Sequence, residues 1–216
     1  MSSIPYDALF EAVSGDPDHV PGALRAALPA ALGAAIDWRT LTRCPGSFVE
    51  PALAGRRTDL LFSVTWCTGG EALLYLLFDR QRSPDTLMAY QLLRYMVRIW
   101  KRWAAEHGAR PVLPCILPLV RHPGERPPPL SFDVLLDLPD ATRAAADPDL
   151  VRFAYLVDEL SELPDRQLRE RAMAALAKLV ASCFKHAQTY PDLVELLAGW
   201  VDGLGEVVTV LTQVEP

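Results

Sequence analysis

Two aspartates, Asp59 and Asp79, are the residues whose spacing best suits chemistry in this chain. Residues 57–66 are rich in β-branched and aromatic side chains, and residues 71–79 form a nearly continuous apolar run. The Cys-Thr-Gly-Gly sequence at 67–70 lies between them and indicates a turn, so the pattern predicts a β-hairpin. A turn centred near residues 68–69 places residue 59 opposite residue 78, give or take one. We therefore expect both carboxylates at the same end of two neighbouring strands.

Paired strands lie about 4.8 Å apart, which is close enough for the two carboxylates to share a small ion. Such a pair repels itself unless a cation, a proton or a base accompanies it. A hard divalent ion such as Mg²⁺ suits these oxygen ligands, activates water and neutralises charge that develops on a phosphate. Gln81 shares a face with Asp79 if the strand continues, and its amide orients a water but does not act as a base. The alternative is that both aspartates are solvated residues at strand boundaries.

Basic side chains are concentrated around these aspartates, although the whole chain has a net charge of −6. Residues 41–126 carry +5 and residues 127–216 carry −8, so the acidic end hides a basic middle. On the predicted helix 86–107, four basic residues share one face because they are spaced i, i+4, i+7 and i+8. The candidate phosphate-binding residues are Arg57, Arg80, Arg82, Arg94, Arg98, Lys101 and Arg102. Guanidinium groups bind phosphate through paired donors, but a solvated helix face is the competing interpretation.

The sequence lacks the patterns of several common classes of site. The four cysteines and four histidines do not have the spacing of a structural zinc site, and the motifs of hydrolase elbows, P-loops and dinucleotide folds are missing. No uncharged apolar stretch reaches the roughly 18–20 residues that cross a bilayer, so no membrane association is expected. The amino-terminal residues lack the pattern of an export signal, which predicts a cytoplasmic protein with reduced thiols.

The length of 216 residues suits one globular domain with an appendage. The predicted order is helix, three strands, helix, strand and then helices. Its segments are one or two helices over 6–32, a short strand at 47–49, strands at 57–66 and 71–79, a helix at 86–107, a strand at 111–120, and helices near 147–161, 164–187 and 190–212. The three prolines in 111–120 suggest an edge or interrupted strand. A loop at 123–129 divides a core of residues 1–126 from an acidic helical extension, residues 127–216, that packs on it.

The chain resembles a known family in several motifs that follow in order. They are Tyr6-Asp7-Ala8-Leu9-Phe10, Leu28-Pro29, Gly46 to Val49, Arg57-Thr58-Asp59-Leu60-Leu61, Asp79-Arg80-Gln81-Arg82, Leu92 to Trp100, and Leu117 to Gly124. Together they are similar to those of the recombination-promoting nuclease and YhgA-like putative transposase family, part of the PD-(D/E)XK nuclease superfamily. The resemblance covers nearly the whole chain and is strongest over residues 46–124.

The resemblance implies an α/β fold, a restriction-endonuclease-like αβββαβ core with a mixed central sheet. It also implies a metal-dependent DNA endonuclease that uses Mg²⁺ or Mn²⁺. In this comparison Asp59 takes the metal-binding Asp position, Asp79 takes the family's Glu position, and Gln81 takes the place of the superfamily Lys. The implied catalytic residues are therefore Asp59, Asp79 and Gln81, with Asp59 and Asp79 as metal ligands and DNA as the partner.

The chain departs from the family pattern around the second carboxylate. Asp79 is one methylene shorter than Glu, Arg80 and Arg82 replace a His and a Ser, and Tyr6 replaces the opening His. Because a displacement of about 1 Å costs a catalytic group on the order of 100-fold in rate, a degenerate member that binds DNA or a protein without cutting is the alternative. A third interpretation is an interaction protein that uses the acidic tail. A homodimer is expected only by analogy with related nucleases.

Overall fold

In the computed structural model, the residues described are 14–16, 19–46, 48, 57–79, 85–108, 112–122, 131–146, 149–159, 163–170, 178, 181, 182 and 185. Their strands are β1 (Ile36–Cys44), β2 (Arg57–Trp66), β3 (Glu71–Asp79), β4 (Cys115–His122) and β5 (Leu156–Glu159). Their helices are α1 (Val20–Ala27), α2 (Ala30–Ala35), α3 (Met88–His107), α4 (Asp140–Ala146) and α5 (Asp165–Glu170), with a 3₁₀ turn at Asp133–Leu135.

The five strands form one mixed sheet in the order β1-β2-β3-β4-β5. Strands β1, β2 and β3 pair antiparallel, whereas β3, β4 and β5 pair parallel. Helix α3 makes the crossover from β3 to β4, as a parallel connection requires. The predicted order α-β-β-β-α-β and the mixed sheet are confirmed, and the architecture is that of a restriction-endonuclease-like core.

The hairpin forms over the two predicted segments, 57–66 and 71–79. Its turn depends on Gly69 and Gly70, whose φ angles of +88° and +92° lie in a region that residues with a Cβ rarely adopt. The backbone N–H of Trp66 donates to the carbonyl of Gly70 at 3.0 Å and closes the loop. The apolar run of β3 is buried on both sides, as expected for a central strand.

Each face of the sheet packs on its own hydrophobic cluster. On the α1 face, alternate residues such as Phe62 and Leu74 pack with Leu24 of α1. On the α3 face, the intervening residues such as Leu61 and Leu77 pack with the apolar side of α3. Side chains alternate along a strand, so a residue lies on the same face as the residues two positions before and after it. The cluster that contains those neighbours therefore identifies the face of the residue.

The first strand lies upstream of its predicted place. Strand β1 is Ile36–Cys44, while Phe48 is outside any strand and Ser47 and Val49 lie outside the described residues. As the edge of the sheet, β1 has many charged and polar side chains, and its register with β2 shifts between Asp37 and Thr42. Both features weaken the period-two pattern that would have indicated a strand.

Strand β4 runs from Cys115 to His122 and is an interior strand, not an edge strand as its prolines suggested. Pro118 is tolerated because β4 pairs with β5 only from Leu119 onward. Over the first half of β4, β3 is the only neighbouring strand among the described residues. Because proline has no N–H to donate, it is tolerated where a strand has a partner on one side only, as in this half of β4.

The prediction of a helix near 147–161 is wrong. Residues 156–159 form β5, parallel to β4, and a helix that was not predicted, α4, covers 140–146 instead. Helix α5 and the helical residues 178, 181, 182 and 185 fall within the predicted helix 164–187. The predicted features at 6–13, 123–129 and 190–212 lie outside the described residues. The division at 126/127 stays a prediction, and β5 joins the second segment to the sheet.

Candidate active site

The register of the hairpin places both aspartates on the α3 face. Arg57 pairs with Asp79 and Asp59 pairs with Leu77, so Asp59 and Asp79 are diagonal neighbours. The sequence predicted that residue 59 lies opposite residue 78, give or take one residue. The exact register decides whether the two aspartates share a face. Had Asp59 faced Phe78, Asp79 would project from the opposite face of the sheet, because successive side chains alternate.

Both carboxylates are buried: Asp59 is 5% exposed and Asp79 is 0% exposed. Diagonal cross-strand neighbours are about 7–8 Å apart. Magnesium binds oxygen at about 2.0–2.1 Å, so two converging aspartate side chains can span this separation with an ion between them. The arrangement therefore suits a shared divalent cation at this end of the sheet.

Two hydrogen bonds from described residues reach the same oxygen of Asp59. The backbone N–H of Phe48 donates to Oδ2 at 2.7 Å, and the hydroxyl of Tyr75 donates to Oδ2 at 3.0 Å. Hydrogen bonds to an ionised acceptor are stronger than neutral ones, so they restrict rotation of the carboxylate. Both of these donors are neutral groups.

The backbone around Phe48 is attached to α3 by two arginines; we call Pro45, Gly46 and Phe48 the Phe48 segment. The guanidinium of Arg102 donates to the carbonyl of Pro45 at 2.6 Å, and that of Arg98 donates to the carbonyl of Phe48 at 3.1 Å. Arg102 also lies over the Phe48 ring, 5.4 Å from its centroid. A sequence motif taken for a short strand thus serves as the support of Asp59.

The four basic residues of α3 therefore have different surroundings. Arg94 and Lys101 are exposed, and Arg94 lies over the ring of Tyr90 at 5.7 Å. Arg98, which is also exposed, and the half-buried Arg102 hold the Phe48 segment. Contact with DNA stays a prediction for all four.

The other predicted site residues are described in part or not at all. Arg57 lies in β2, and its side chain is not described. Arg80, Gln81 and Arg82 lie outside the described residues. Their assignments to catalysis and DNA binding stay predictions.

His122 is a buried residue of this end that sequence reasoning gave no role. Ile116 and Val120 of β4 pack in the α3-face cluster, so His122 lies on the same face, with no exposed surface. Phe78 pairs with Arg121 in the parallel ladder, which brings His122 next to Asp79. Its place in the motif Leu117 to Gly124 was the signal that could have identified it.

Tyr155 is a second residue that sequence reasoning missed, because its segment was predicted to be helical. It is 4% exposed and belongs to the α3-face cluster. Its hydroxyl has no hydrogen-bond partner within the part of the chain that the structure describes. Burial raises the pKa of Tyr155 well above its usual value, and the negative charges of Asp85 and Asp79 raise it further. The phenol is therefore protonated at neutral pH.

Asp85 connects this end to the start of α3. Its two oxygens accept hydrogen bonds from the backbone N–H of Leu87 and from the side-chain amide of Gln91, both at 2.8 Å. These contacts lie just before the amino-terminal end of the helix, where Leu87 occupies the N-cap position. A negative charge is also favourable there because of the helix dipole.

The α1 face at the same end of the sheet contains a buried ion pair. Leu119 and Leu156 pack in the α1-face cluster, so Arg121 and Asp158, two residues further on, lie on that face. Both side chains are less than 5% exposed, and the guanidinium reaches Asp158 Oδ2 from Nε at 3.0 Å and from Nη2 at 2.9 Å. This carboxylate is matched by a cation within the chain.

The donor set determines which metal fits the α3 face. Among the described residues, no group of three or more His, Cys, Asp or Glu side chains could hold a metal ion. A structural zinc site needs four protein ligands, so the described residues do not fit one. Magnesium commonly uses one or two carboxylates and completes its shell with water and substrate phosphate, so two aspartates are sufficient for it.

A family model described as "Putative transposase, YhgA-like" matches residues 4–215. The chain belongs to this family. The family resemblance deduced from the motifs is thereby confirmed.

Three curated relatives from Escherichia coli match 83% of this chain. Recombination-promoting nuclease RpnD of strain O157:H7 is 29% identical over 180 residues, which is 67% of that protein. Recombination-promoting nuclease RpnC of strain K12 is 30% identical over 189 residues, and the inactive recombination-promoting nuclease-like protein RpnE of strain K12 is 28% identical over 180 residues. The chain spans 58% of the length of each of the latter two.

No solved structure matches the chain. Within the described residues, every helix is too short or too polar to pass through a lipid bilayer.

Proposed function

We propose that the protein is a metal-dependent DNA endonuclease of the recombination-promoting type, which hydrolyses phosphodiester bonds. The observation that carries this proposal is the pair Asp59 and Asp79, buried on one face of adjacent strands in a nuclease-family chain. Membership of a family whose relatives include named nucleases supports the substrate class. Asp59 and Asp79 are the residues that would hold Mg²⁺ or Mn²⁺.

When bound, the ion would neutralise negative charge on the phosphate and lower the pKa of the attacking water. The chain's own groups have separate tasks. Asp59 and Asp79 provide the oxygen ligands, and Gln81 orients the water. Basic residues near the carboxylates bind DNA phosphates on either side of the cut; they are Arg57, Arg80, Arg82, Arg94 and Lys101.

A plasmid-nicking assay with Mg²⁺ or Mn²⁺ tests the proposal. Asp59→Asn and Asp79→Asn should each lower nicking by more than the roughly 10–100-fold that is typical of residues that only orient a ligand. Asp37→Asn is the matched control, because Asp37 pairs with the exposed Arg39 on the edge strand β1. Unchanged nicking in Asp59→Asn would remove the proposed centre.

A second candidate function is DNA binding without cleavage. It is favoured by the relative RpnE, whose name marks it as inactive, and by the shorter carboxylate at position 79. Titration calorimetry with Mn²⁺ and DNA-binding assays at several salt concentrations separate the two functions. A protein that binds DNA with strong salt dependence, binds no Mn²⁺ and leaves plasmid intact is a binder.

The variant Asp79→Glu restores the side-chain length found at this position in the family. If the short carboxylate limits the reaction, this variant nicks plasmid faster than the wild type. A slower Glu variant would mean that the site has adapted to Asp, since an extra methylene at a fully buried position also crowds its neighbours. The cytoplasmic location, the homodimer and partner binding through the acidic segment stay predictions.

A further inference from the structure

We propose that Arg98 and Arg102 are positioning residues, which hold the Phe48 segment on α3 so that the Phe48 N–H orients Asp59. The consequence for catalysis rests on the proposed nuclease function. The consequence for the orientation of Asp59 does not, because it follows from contacts within the chain. Sequence reasoning assigned both arginines to DNA phosphates.

The orientation of Asp59 depends on Phe48. Of the hydrogen bonds that described residues donate to Oδ2, the one from the Phe48 N–H is the shorter at 2.7 Å, and it comes from a loop and not from a strand. A strand holds its backbone donors through its ladder, whereas a loop donor is only as fixed as the contacts of its loop. The orientation of Asp59 therefore depends on whatever fixes Phe48.

Two arginines and an aromatic ring fix Phe48. Arg98 holds its carbonyl at 3.1 Å, and Arg102 holds the carbonyl of Pro45 at 2.6 Å. The Phe48 ring packs edge-on against Tyr75, with centroids 6.3 Å apart, and lies under the guanidinium of Arg102. Tyr75 is also the other donor to Asp59, so ring packing and hydrogen bonding support the same carboxylate.

The backbone at Gly46 approaches Arg102 closely. Gly46 has a φ of +91°, and a Cβ at this position would lie 3.1 Å from Nη1 of Arg102. Glycine therefore permits both the turn and the contact with the guanidinium. A loop shaped to bring two carbonyls to two arginines indicates that this contact is specific.

Arg98 and Arg102 differ from the other basic residues of α3 in what they contact. Arg102 also donates to Glu106 Oε1 at 3.0 Å, so its guanidinium already serves two acceptors and a ring. Arg94, Arg98 and Lys101 are all exposed, so exposure does not distinguish them; the hydrogen bonds seen from α3 to the carbonyls of Pro45 and Phe48 come from Arg102 and Arg98. We therefore assign Arg94 and Lys101 to DNA and assign Arg98 and Arg102 to Asp59.

The test compares Arg98→Gln with Arg94→Gln in the full chain. In Arg98→Gln we expect the Phe48 amide to exchange with solvent about tenfold faster, as befits one weakened hydrogen bond. We expect Mn²⁺ affinity and kcat for nicking to fall about 10–100-fold, with KM for DNA unchanged. In Arg94→Gln we expect KM to rise, while amide exchange, Mn²⁺ affinity and kcat are unchanged.

Two further variants distinguish positioning from general loosening. Arg98→Lys keeps a cationic donor and should restore part of the Mn²⁺ affinity. Val64→Ala removes core volume on the α1 face, so it lowers stability but should leave Mn²⁺ affinity per folded molecule intact. If Val64→Ala loses as much affinity as Arg98→Gln, loosening explains the effect and the proposal is wrong.

The proposal is also wrong if the Phe48 amide exchanges at the wild-type rate in Arg98→Gln, or if this variant changes only KM. Amide exchange is measured without metal or DNA. A wild type that neither binds Mn²⁺ nor nicks plasmid would therefore reject the proposed function, while the exchange measurement would still decide the positioning of Asp59.

Discussion

The two faces of the sheet bury carboxylates at the same end in different ways. On the α1 face, Asp158 is matched by the guanidinium of Arg121. On the α3 face, Asp59 is held by a backbone N–H and a phenol, and Asp79 lies diagonally from it. The first arrangement joins two opposite charges. The second brings two carboxylates together on one face, and a backbone N–H and a phenol are among the groups that orient one of them.

This difference separates a structural ion pair from a candidate site. When two opposite charges are buried together, their Coulomb attraction offsets part of the hydration free energy that both ions lose. Two carboxylates on one face repel each other, and a divalent cation relieves the repulsion. The comparison therefore predicts that substitutions on the α1 face change stability alone, whereas those on the α3 face also change metal binding.

The largest expected effect is on the α1 face. Arg121→Met leaves Asp158 buried without its cation and should lower the free energy of unfolding by about 3–5 kcal/mol, measured by urea denaturation. The double variant Arg121→Met/Asp158→Leu should recover most of this loss and bind Mn²⁺ as the wild type does. A double variant that loses Mn²⁺ affinity would break the distinction between the faces.

The next largest effect concerns two buried tyrosines of the α3 face. Tyr75→Phe removes a donor to the charged Asp59 and should cost about 1.5–3 kcal/mol of unfolding free energy. Tyr155→Phe removes a hydroxyl without a partner among the described residues, so it should leave stability unchanged or raise it. Urea denaturation of both variants measures the difference. Equal losses would show that Tyr155 also has a partner in the folded chain.

Gly46→Ala tests the Phe48 segment directly. A Cβ at a φ of +91° and 3.1 Å from Arg102 should cost about 1–3 kcal/mol and weaken Mn²⁺ binding with it. Gly33→Ala is the matched control, because an added Cβ there has only an ordinary contact at 3.7 Å with Arg25. Since Gly33 lies in helix α2, this control should be neutral or stabilising by up to about 1 kcal/mol. Thermal unfolding and calorimetry measure both variants.

The smallest effect is a dependence on alkaline pH. The pKa of Tyr155 is raised in the folded chain, so above about pH 10 the unfolded chain releases a proton that the folded chain keeps. Stability is therefore fully present below pH 10 and falls as pH rises, by about 1.4 kcal/mol per pH unit from this group. A comparison of the unfolding of the wild type and of Tyr155→Phe between pH 9 and about pH 11 isolates the contribution of Tyr155. Identical slopes of unfolding free energy against pH in the two proteins would contradict the assignment of this effect to Tyr155.

Local pattern was sufficient for the hairpin and for α3. In β2 and β3 the strand residues, the turn and the two-sided burial all agree with the sequence, because near neighbours determine them. Strand β1 was misplaced, since it is an edge strand with mixed polarity. Strand β5 was missed because a four-residue strand in a parallel pair depends on a partner far along the chain.

The candidate site divides in the same way. Asp59 and Asp79 were found from their spacing, because a hairpin brings its two ends together. His122 and Tyr155 were assigned no role, since β4 and the segment before β5 reach this end only through the assembled sheet. The attachment of Phe48 to Arg98 spans fifty residues, and no local pattern reports it.

The sequence by itself determined which residue types meet at this end of the sheet: two aspartates, a basic helix and the strands that carry them. Only the tertiary structure decided on which face each residue lies and what holds it. A register is determined by the packing of two whole strands, and a shift of one residue exchanges their faces. Asp59 and Asp79 share a face because Asp59 lies opposite Leu77 and not opposite Phe78.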